Sequence, residues 1–254
     1  MPRYALMLEY DGTAFVGWQR QAVGVSVQQV LEAAAAHLVG GAPVVSITAG
    51  RTDSGVHASG QVASIDLDRA IGGDKLRDAL NFHMKPHAVA VLHAALAPVG
   101  WNPRFSAIGR VYRYRILNRR ARVALEAGRV WHVVQPLDVG AMHEAAQLLV
   151  GQHDFTSFRA SSCQAKSPVR TIDRLDVSRH GEAVVIEVSA RSFLHHQVRN
   201  IAGTLKLVGE GAWPVGRVAT ALAARDRAAA GPTAPPEGLT MVAVRYPEDP
   251  FSPR

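Results

Sequence analysis

Cysteine, lysine and aromatic residues are all scarce in this 254-residue chain, which has one cysteine, four lysines and 6% Phe, Trp and Tyr. A lone thiol, Cys163, excludes an intrachain disulfide and supplies no thiolate cluster for zinc. No apolar run comes near the roughly 18 to 20 residues that span a bilayer, and the opening segment is too short in apolar length for a signal peptide. A cytoplasmic protein with no membrane partner is the expectation. What the chain does hold is a 48% apolar fraction, ample for one large domain or two smaller ones. It also holds arginine. Of 28 basic residues all but the four lysines are arginine, and the net charge of +7 favours a polyanionic partner. A skew toward arginine and alanine also follows from biased base composition in a gene, so clustering says more than the total. Arg104, Arg110, Arg113, Arg115, Arg119, Arg120 and Arg122 crowd around Tyr112 and Tyr114. Such a segment either lines a phosphate backbone or forms a solvated strand face.

Periodicity and capping residues predict the elements. Residues 3–10 read as a strand ended by Asp11-Gly12. Ser26 with Gln29 makes a capping box that opens a helix to about residue 39, stopped by Gly40-Gly41. Strands follow at 44–48 and 62–67, then a helix at 74–83 and a strand at 89–95. After a joint at 98–103, residues 110–117 alternate, with Tyr112, Tyr114 and Ile116 on one face. Asp138 caps a helix reaching residue 150, and 152–168 reads as a long loop. Residues 171–178 and 183–190 form a hairpin across Arg179-His180-Gly181-Glu182. Helical spacing of Leu194, Val198, Ile201, Ala202, Leu205 and Val208 predicts a helix over 193–209, before a short helix at 215–225 and a last strand at 239–246. Setting the short helix aside, each half, 1–103 and 104–254, runs strand, helix, strand, strand, helix, strand, the order of a split βαβ, ferredoxin-like unit. The expected fold class is α+β, with two such halves side by side around a central, largely antiparallel sheet and a basic cleft.

Everything else reads as scaffold for residues 49–62. Gly50, Gly55 and Gly60 permit tight turns there, and a polar loop carried by two apolar strands is where reactive groups are usually held. Asp53 is its only carboxylate, flanked by Arg51 and His57. A nearby arginine favours the ionised carboxylate, which can act as nucleophile or general base. An Asx-turn, with Asp53 bonding its own backbone, fits the same spacing.

Gly50-Arg51-Thr52-Asp53-Ser54-Gly55-Val56-His57-Ala58 closely resembles the signature of the tRNA pseudouridine synthase A family. The resemblance implies that Asp53 is the catalytic nucleophile and that Arg51 helps hold the target nucleotide out of the stack. A second block, Arg104-Phe105-Ser106-Ala107-Ile108-Gly109-Arg110-Val111-Tyr112, resembles the family's substrate-contacting segment. It implies stacking of a flipped-out base on Tyr112, with Arg104, Phe105 and Arg110 near the RNA. Just before it, Trp101-Asn102-Pro103 departs from the Phe-His-Ala pattern expected of the family. Phe155-Thr156-Ser157-Phe158-Arg159 with Cys163 resembles an RNA-contacting loop in which Cys163 has no catalytic part. In Phe193-Leu194-His195-His196-Gln197-Val198-Arg199-Asn200, Arg199 resembles the arginine that pairs with the catalytic aspartate. The resemblance implies an enzyme, an isomerase converting uridine to pseudouridine at positions 38, 39 and 40 of the anticodon stem-loop of tRNA. It implies no cofactor and no metal, and a homodimer with one tRNA spanning both subunits.

Other readings of these segments lack residues that they require. His195 and His196 suggest a metal, but on a helix they diverge by about 100°, and no HExxH frame accompanies them. Asp53-Ser54-Gly55 lacks the second aspartate that an aspartic protease needs. Glu9-Tyr10-Asp11-Gly12-Thr13 resembles a phosphatase start, yet Glu9 stands where a nucleophilic aspartate belongs, so a structural turn is expected. The alternative from another class is a non-catalytic RNA-binding protein on the same scaffold, against which the joint presence of Asp53, Tyr112 and Arg199 argues.

Overall fold

The first strand, β1 (Arg3–Tyr10), buries Tyr4, Ala5, Leu6, Leu8 and Tyr10, so it needs a partner on each edge and cover on both faces. The computed structural model describes residues 1–252. In it β1 is followed by α1 (Val27–Leu38), β2 (Ser46–Thr48), β3 (His57–Asp66), α2 (Gly73–His83) and β4 (Val89–Leu96). β1 runs antiparallel to β3 on one edge and to β4 on the other, and β2 pairs antiparallel with the far half of β3. Ser26 caps α1 by accepting the Gln29 N–H at 3.2 Å, and Gly40 and Gly41 end it at φ 65 and 89. The buried Glu32 of α1 fastens β2, its carboxylate taking the Ser46 N–H at 2.9 Å and the Ser46 hydroxyl at 3.0 Å.

Two local expectations fail here for one reason. β2 is shorter than predicted, and β3 begins at His57 rather than Val62. Polar residues 57–61 have little strand propensity of their own, but β1 pairs along them as far as Tyr10–Ala58. Tertiary pairing overrides local preference.

The second stretch forms β5 (Gly109–Asn118), β6 (Trp131–Val133), α3 (Val139–Gln147), β7 (Gly151–Asp154), β8 (Val169–His180), β9 (Ala183–Ala190), α4 (Gln197–Gly209) and α5 (Arg217–Ala224). The strand order is β5-β9-β8-β7, antiparallel throughout, with β6 parallel to the end of β5. Tyr112, Tyr114 and Ile116 are buried together as the alternation requires. Asp138 caps α3 through the Ala141 N–H at 3.0 Å, but the helix stops at Gln147. The expected long loop contains β7 and a single 3-10 turn at Thr156–Phe158. α4 starts four residues later than predicted because His196 adopts a left-handed φ of 62, which interrupts a helix.

The last strand, β10 (Leu239–Arg245), pairs in parallel with β3 at Thr240–His57 and Met241–Ala58. Gly60 allows this approach, since a methyl there would overlap Val242 O. The chain thus divides into two compact units, Met1–Gly109 with the stretch from Thr240, and Arg110–Leu239. The fold is α+β with mostly antiparallel strands. No helix among the described residues is long and apolar enough to cross a membrane.

Candidate active site

In the first unit Asp53 sits half-buried on the loop between β2 and β3. The loop's back wall is the segment after β1. Trp18 N–H donates to Thr52 O at 3.0 Å, and Gly55 N–H and Ser54 Oγ both donate to Phe15 O at 3.4 and 3.3 Å. The loop also closes on itself through Val56 N–H to Asp53 O at 3.1 Å. Gly17, at φ 101, lies so close to the Thr52 carbonyl that a methyl group would collide with it. Asp11 accepts the Thr13 N–H at 3.0 Å and the Thr13 hydroxyl at 2.6 Å, while Gly12 N–H donates to His57 Nδ1 at 3.0 Å. Asp11 caps a turn, as the structural reading expected.

Beneath the loop lie residues that the sequence reading missed. The Tyr10 hydroxyl is 2.7 Å from Thr52 Oγ1, and Gln61 Nε2 donates to Gly50 O at 2.7 Å. Burial pushes the Tyr10 hydroxyl up to about 12, partly offset by its hydrogen bonds to Thr52 and Gln61. The available signal was a glutamine inside an otherwise small and apolar strand, facing a tyrosine at the end of β1.

Trp101-Asn102-Pro103 has a structural account. Trp101 is buried against Ala5, Ala49 and Val62 at the foot of the loop, with its ring 5.3 Å from that of Tyr246. Asn102 Oδ1 accepts the Arg104 and Phe105 N–H groups at 2.9 and 3.1 Å. That turn leaves Arg104 and Phe105 exposed, the guanidinium 5.8 Å from the ring centroid. Arg51 is exposed as well.

In the second unit Tyr112 on β5 meets Phe193 edge to face at 5.2 Å. Phe193 opens the turn leading to α4, where the rings of His195 and His196 lie 4.0 Å apart. The helical divergence expected of these two histidines is therefore corrected: both precede the helix. Arg199 stands in the first turn of α4, its Nε donating to Ala234 O at 2.8 Å while Ala234 N–H donates to Arg199 O at 3.1 Å. Arg227 donates to Asn200 Oδ1 at 3.1 Å, Thr233 Oγ1 at 3.0 Å and Gly231 O at 2.9 Å, locking the following loop onto α4. The buried Tyr114 hydroxyl donates to Pro235 O at 2.8 Å. Burial and then Glu237 push that hydroxyl far up, with Arg199 pulling it back. The half-buried Arg159 and Cys163 lie on a loop stitched to the same turn, through Ala160 N–H to His195 O at 2.9 Å and Asn200 Nδ2 to Phe158 O at 2.9 Å.

The arginine cluster is not one uniform face. Arg113 pairs with Glu187 at 2.8 Å across the β5–β9 ladder, Arg115 with Glu126, and Arg119 with Glu182 at 2.8 Å. Arg110 is buried and donates to Arg191 O. Arg120 and Arg122 are exposed.

Known proteins similar to this chain span nearly all of it. The family profile described as tRNA pseudouridine synthase matches residues 145–247. A protein of Acidiphilium cryptum named tRNA pseudouridine synthase A is 71% identical over 252 residues, covering 99% of each chain. Namesakes from Rhodospirillum centenum and Gluconobacter oxydans are 61% and 56% identical. They cover 97% and 98% of this chain, and the matches take in 100% and 92% of their own lengths.

Proposed function

We propose, from the premise that this chain belongs to the tRNA pseudouridine synthase A family and so isomerises uridine to pseudouridine in tRNA, that Asp53 is its nucleophile and the anticodon stem-loop its target. The observation that carries the reading is the loop itself, in which the one carboxylate of the signature is held half-exposed by backbone hydrogen bonds on both flanks. In the reaction Asp53 attacks the target nucleoside and the N1–C1′ glycosidic bond breaks. The base turns, C5 bonds to C1′, the bond to Asp53 is released, and the C5 proton leaves to water as N1 gains one. Product and substrate are isomers, so no oxidant or other co-reactant is consumed.

The remaining residues take roles around that step. Arg199 pairs with Asp53, a task that suits a guanidinium because it stays charged and can hold a carboxylate with two parallel hydrogen bonds. Tyr112 stacks on the flipped base, and Arg51 holds the nucleotide out of the helix. Arg104, Phe105, Arg110, Arg159 and Cys163 line the RNA path, with uridines 38, 39 and 40 as targets. The strand order β4-β1-β3-β2 in the first unit supports a split βαβ, ferredoxin-like half, and β5-β9-β8 supports its counterpart in residues 104–254, with a basic cleft as the RNA surface. The protein works in the cytoplasm as a homodimer, which light scattering of the active enzyme at micromolar concentration reads directly.

The test uses a tRNA transcript tritiated at uracil C5, because isomerisation must release that label and binding cannot. Asp53→Asn keeps shape but not the nucleophile, so it should lose label release by many orders of magnitude while retaining tRNA binding. Appreciable release by this variant would remove Asp53 from the centre of the chemistry.

A further inference from the structure

Gln61 is wholly buried, and its orientation is set by two backbone groups whose roles cannot exchange. Nε2 donates to Gly50 O at 2.7 Å, and Oε1 accepts the Val62 N–H at 3.1 Å. Its remaining N–H reaches the Tyr10 hydroxyl at 3.3 Å, and that hydroxyl lies 2.7 Å from Thr52 Oγ1. The chain therefore runs from the carbonyl of Gly50 to the side chain immediately preceding Asp53. Gln61, Tyr10 and Thr52 are 0, 4 and 7% exposed, so water does not stand in for a missing partner. Phe15 and Trp18, whose backbones hold the other face of the loop, also flank the Tyr10 ring at 6.5 and 6.2 Å.

We infer that Tyr10, Thr52 and Gln61 are positioning residues for the nucleophile, a buried hydrogen-bond chain that fixes the backbone on which Asp53 is carried. The inference rests on Asp53 being the nucleophile. Thr52 is held at two points, its hydroxyl by Tyr10 and its carbonyl by the Trp18 N–H at 3.0 Å. Asp53 thus sits between two anchored points, Thr52 and the Ser54–Gly55 contacts, with its own carbonyl accepting the Val56 N–H at 3.1 Å. A displacement of about 1 Å in a reacting group costs about 100-fold in rate, so small slack in this chain reaches the chemistry. Because burial pushes Tyr10 up to about 12, its hydroxyl remains neutral through the range in which tRNA is assayed.

The experiment compares Tyr10→Phe and Thr52→Val, which each delete one hydroxyl, with Thr52→Ser, which keeps it. Single-turnover tritium release with enzyme in excess is read beside tRNA affinity and thermal midpoint, well below the melting range of every variant. Tyr10→Phe and Thr52→Val should each slow release about 10- to 100-fold, with tRNA affinity within about threefold. Their double variant should be no slower than the slower single, because both remove the same hydrogen bond. Thr52→Ser should stay within about threefold of the parent. Parental rates for both Tyr10→Phe and Thr52→Val would overturn the inference, as would equal losses in Thr52→Ser and Thr52→Val, or a rate loss matched by lost tRNA affinity. Asp53→Asn is run alongside: if it is inactive while the hydroxyl deletions are fully active, the positioning role alone fails. An active Asp53→Asn defeats both readings.

Discussion

The Asp53 loop and the start of α4 are both braced from behind by hydrogen-bonded polar groups, but with opposite chemistry. Behind Asp53 the braces are neutral, a tyrosine, a threonine and a glutamine. Behind Arg199 the brace is a cation, Arg227, whose N–H groups are spread over a side-chain amide oxygen, a hydroxyl and backbone carbonyls. The difference follows from what each brace must leave undisturbed. A cation under Asp53 would compete with the guanidinium proposed as its partner, and a carboxylate under Arg199 would compete with Asp53. A neutral chain and a cation bonded to neutral oxygens each hold backbone without claiming the charge on display.

The sharpest test of that contrast is a pair of glycines, one in each region. A methyl at Gly203 would overlap Pro232 O, where α4 meets the loop carrying Ala234. Gly203→Ala should therefore cost about 3 kcal/mol, read as a lower urea midpoint at unchanged slope. Gly12→Ala would meet Val56 O in the loop wall, and should cost less stability but disproportionately more activity than Gly203→Ala. Equal ratios of activity loss to stability loss would erase the distinction between an anchored helix and an aimed loop. Next in size, Arg227→Met strips donors from Asn200 Oδ1, Thr233 Oγ1 and Gly231 O, for which about 2 kcal/mol is expected in the same titration.

An alkaline melting series reads the neutral brace itself. Tyr10 is raised in the folded state, so its contribution is complete below the ordinary tyrosine range near pH 10 and is lost as pH rises through about 12. Tyr114 is raised in the same direction. The fall in thermal midpoint above pH 10 should be shallower in Tyr10→Phe than in the parent, and an unchanged curve would mean that the hydroxyl is not sequestered. The smallest effect concerns the arginine cluster. Arg120→Ala should lower the slope of log affinity for tRNA against log salt by about one or less, and Arg119→Ala, already paired with Glu182, by less still.

Much of the frame was legible because local chemistry decided it. Ser26 and Asp138 cap the helices that their spacing promised, and the 171–190 hairpin turns at Gly181, φ 60. Failures fall where distant pairing decides. Residues 57–61 are strand because β1 and β10 lie beside them, and the three residues of β6 are strand because they find β5. His196 turns left-handed against its helical pattern, while Gln197, the next residue, bonds back to Leu194 N–H through Oε1 at 2.8 Å. Of the candidate site, the signature residues were visible as a string. Their supports, Tyr10, Gln61, Asn200 and Arg227, were not, since each is ordinary in sequence and acquires meaning only from the carbonyls and hydroxyls it meets.

Parallel pairing of β10 with the first residues of β3 has a consequence in time. Thr240 settles beside His57, at the end of the loop carrying Asp53, although about 190 residues separate Asp53 from that strand. At roughly 5 to 20 residues per second, a ribosome needs about 10 to 40 s to cover that distance. Throughout that interval the start of β3 has an open edge, with unpaired backbone groups available to other strands. Ribosome-bound chains ending at Gly238 should accordingly be cut by protease within 57–66, where the finished chain resists. The signature loop is made long before the strand that completes its flank.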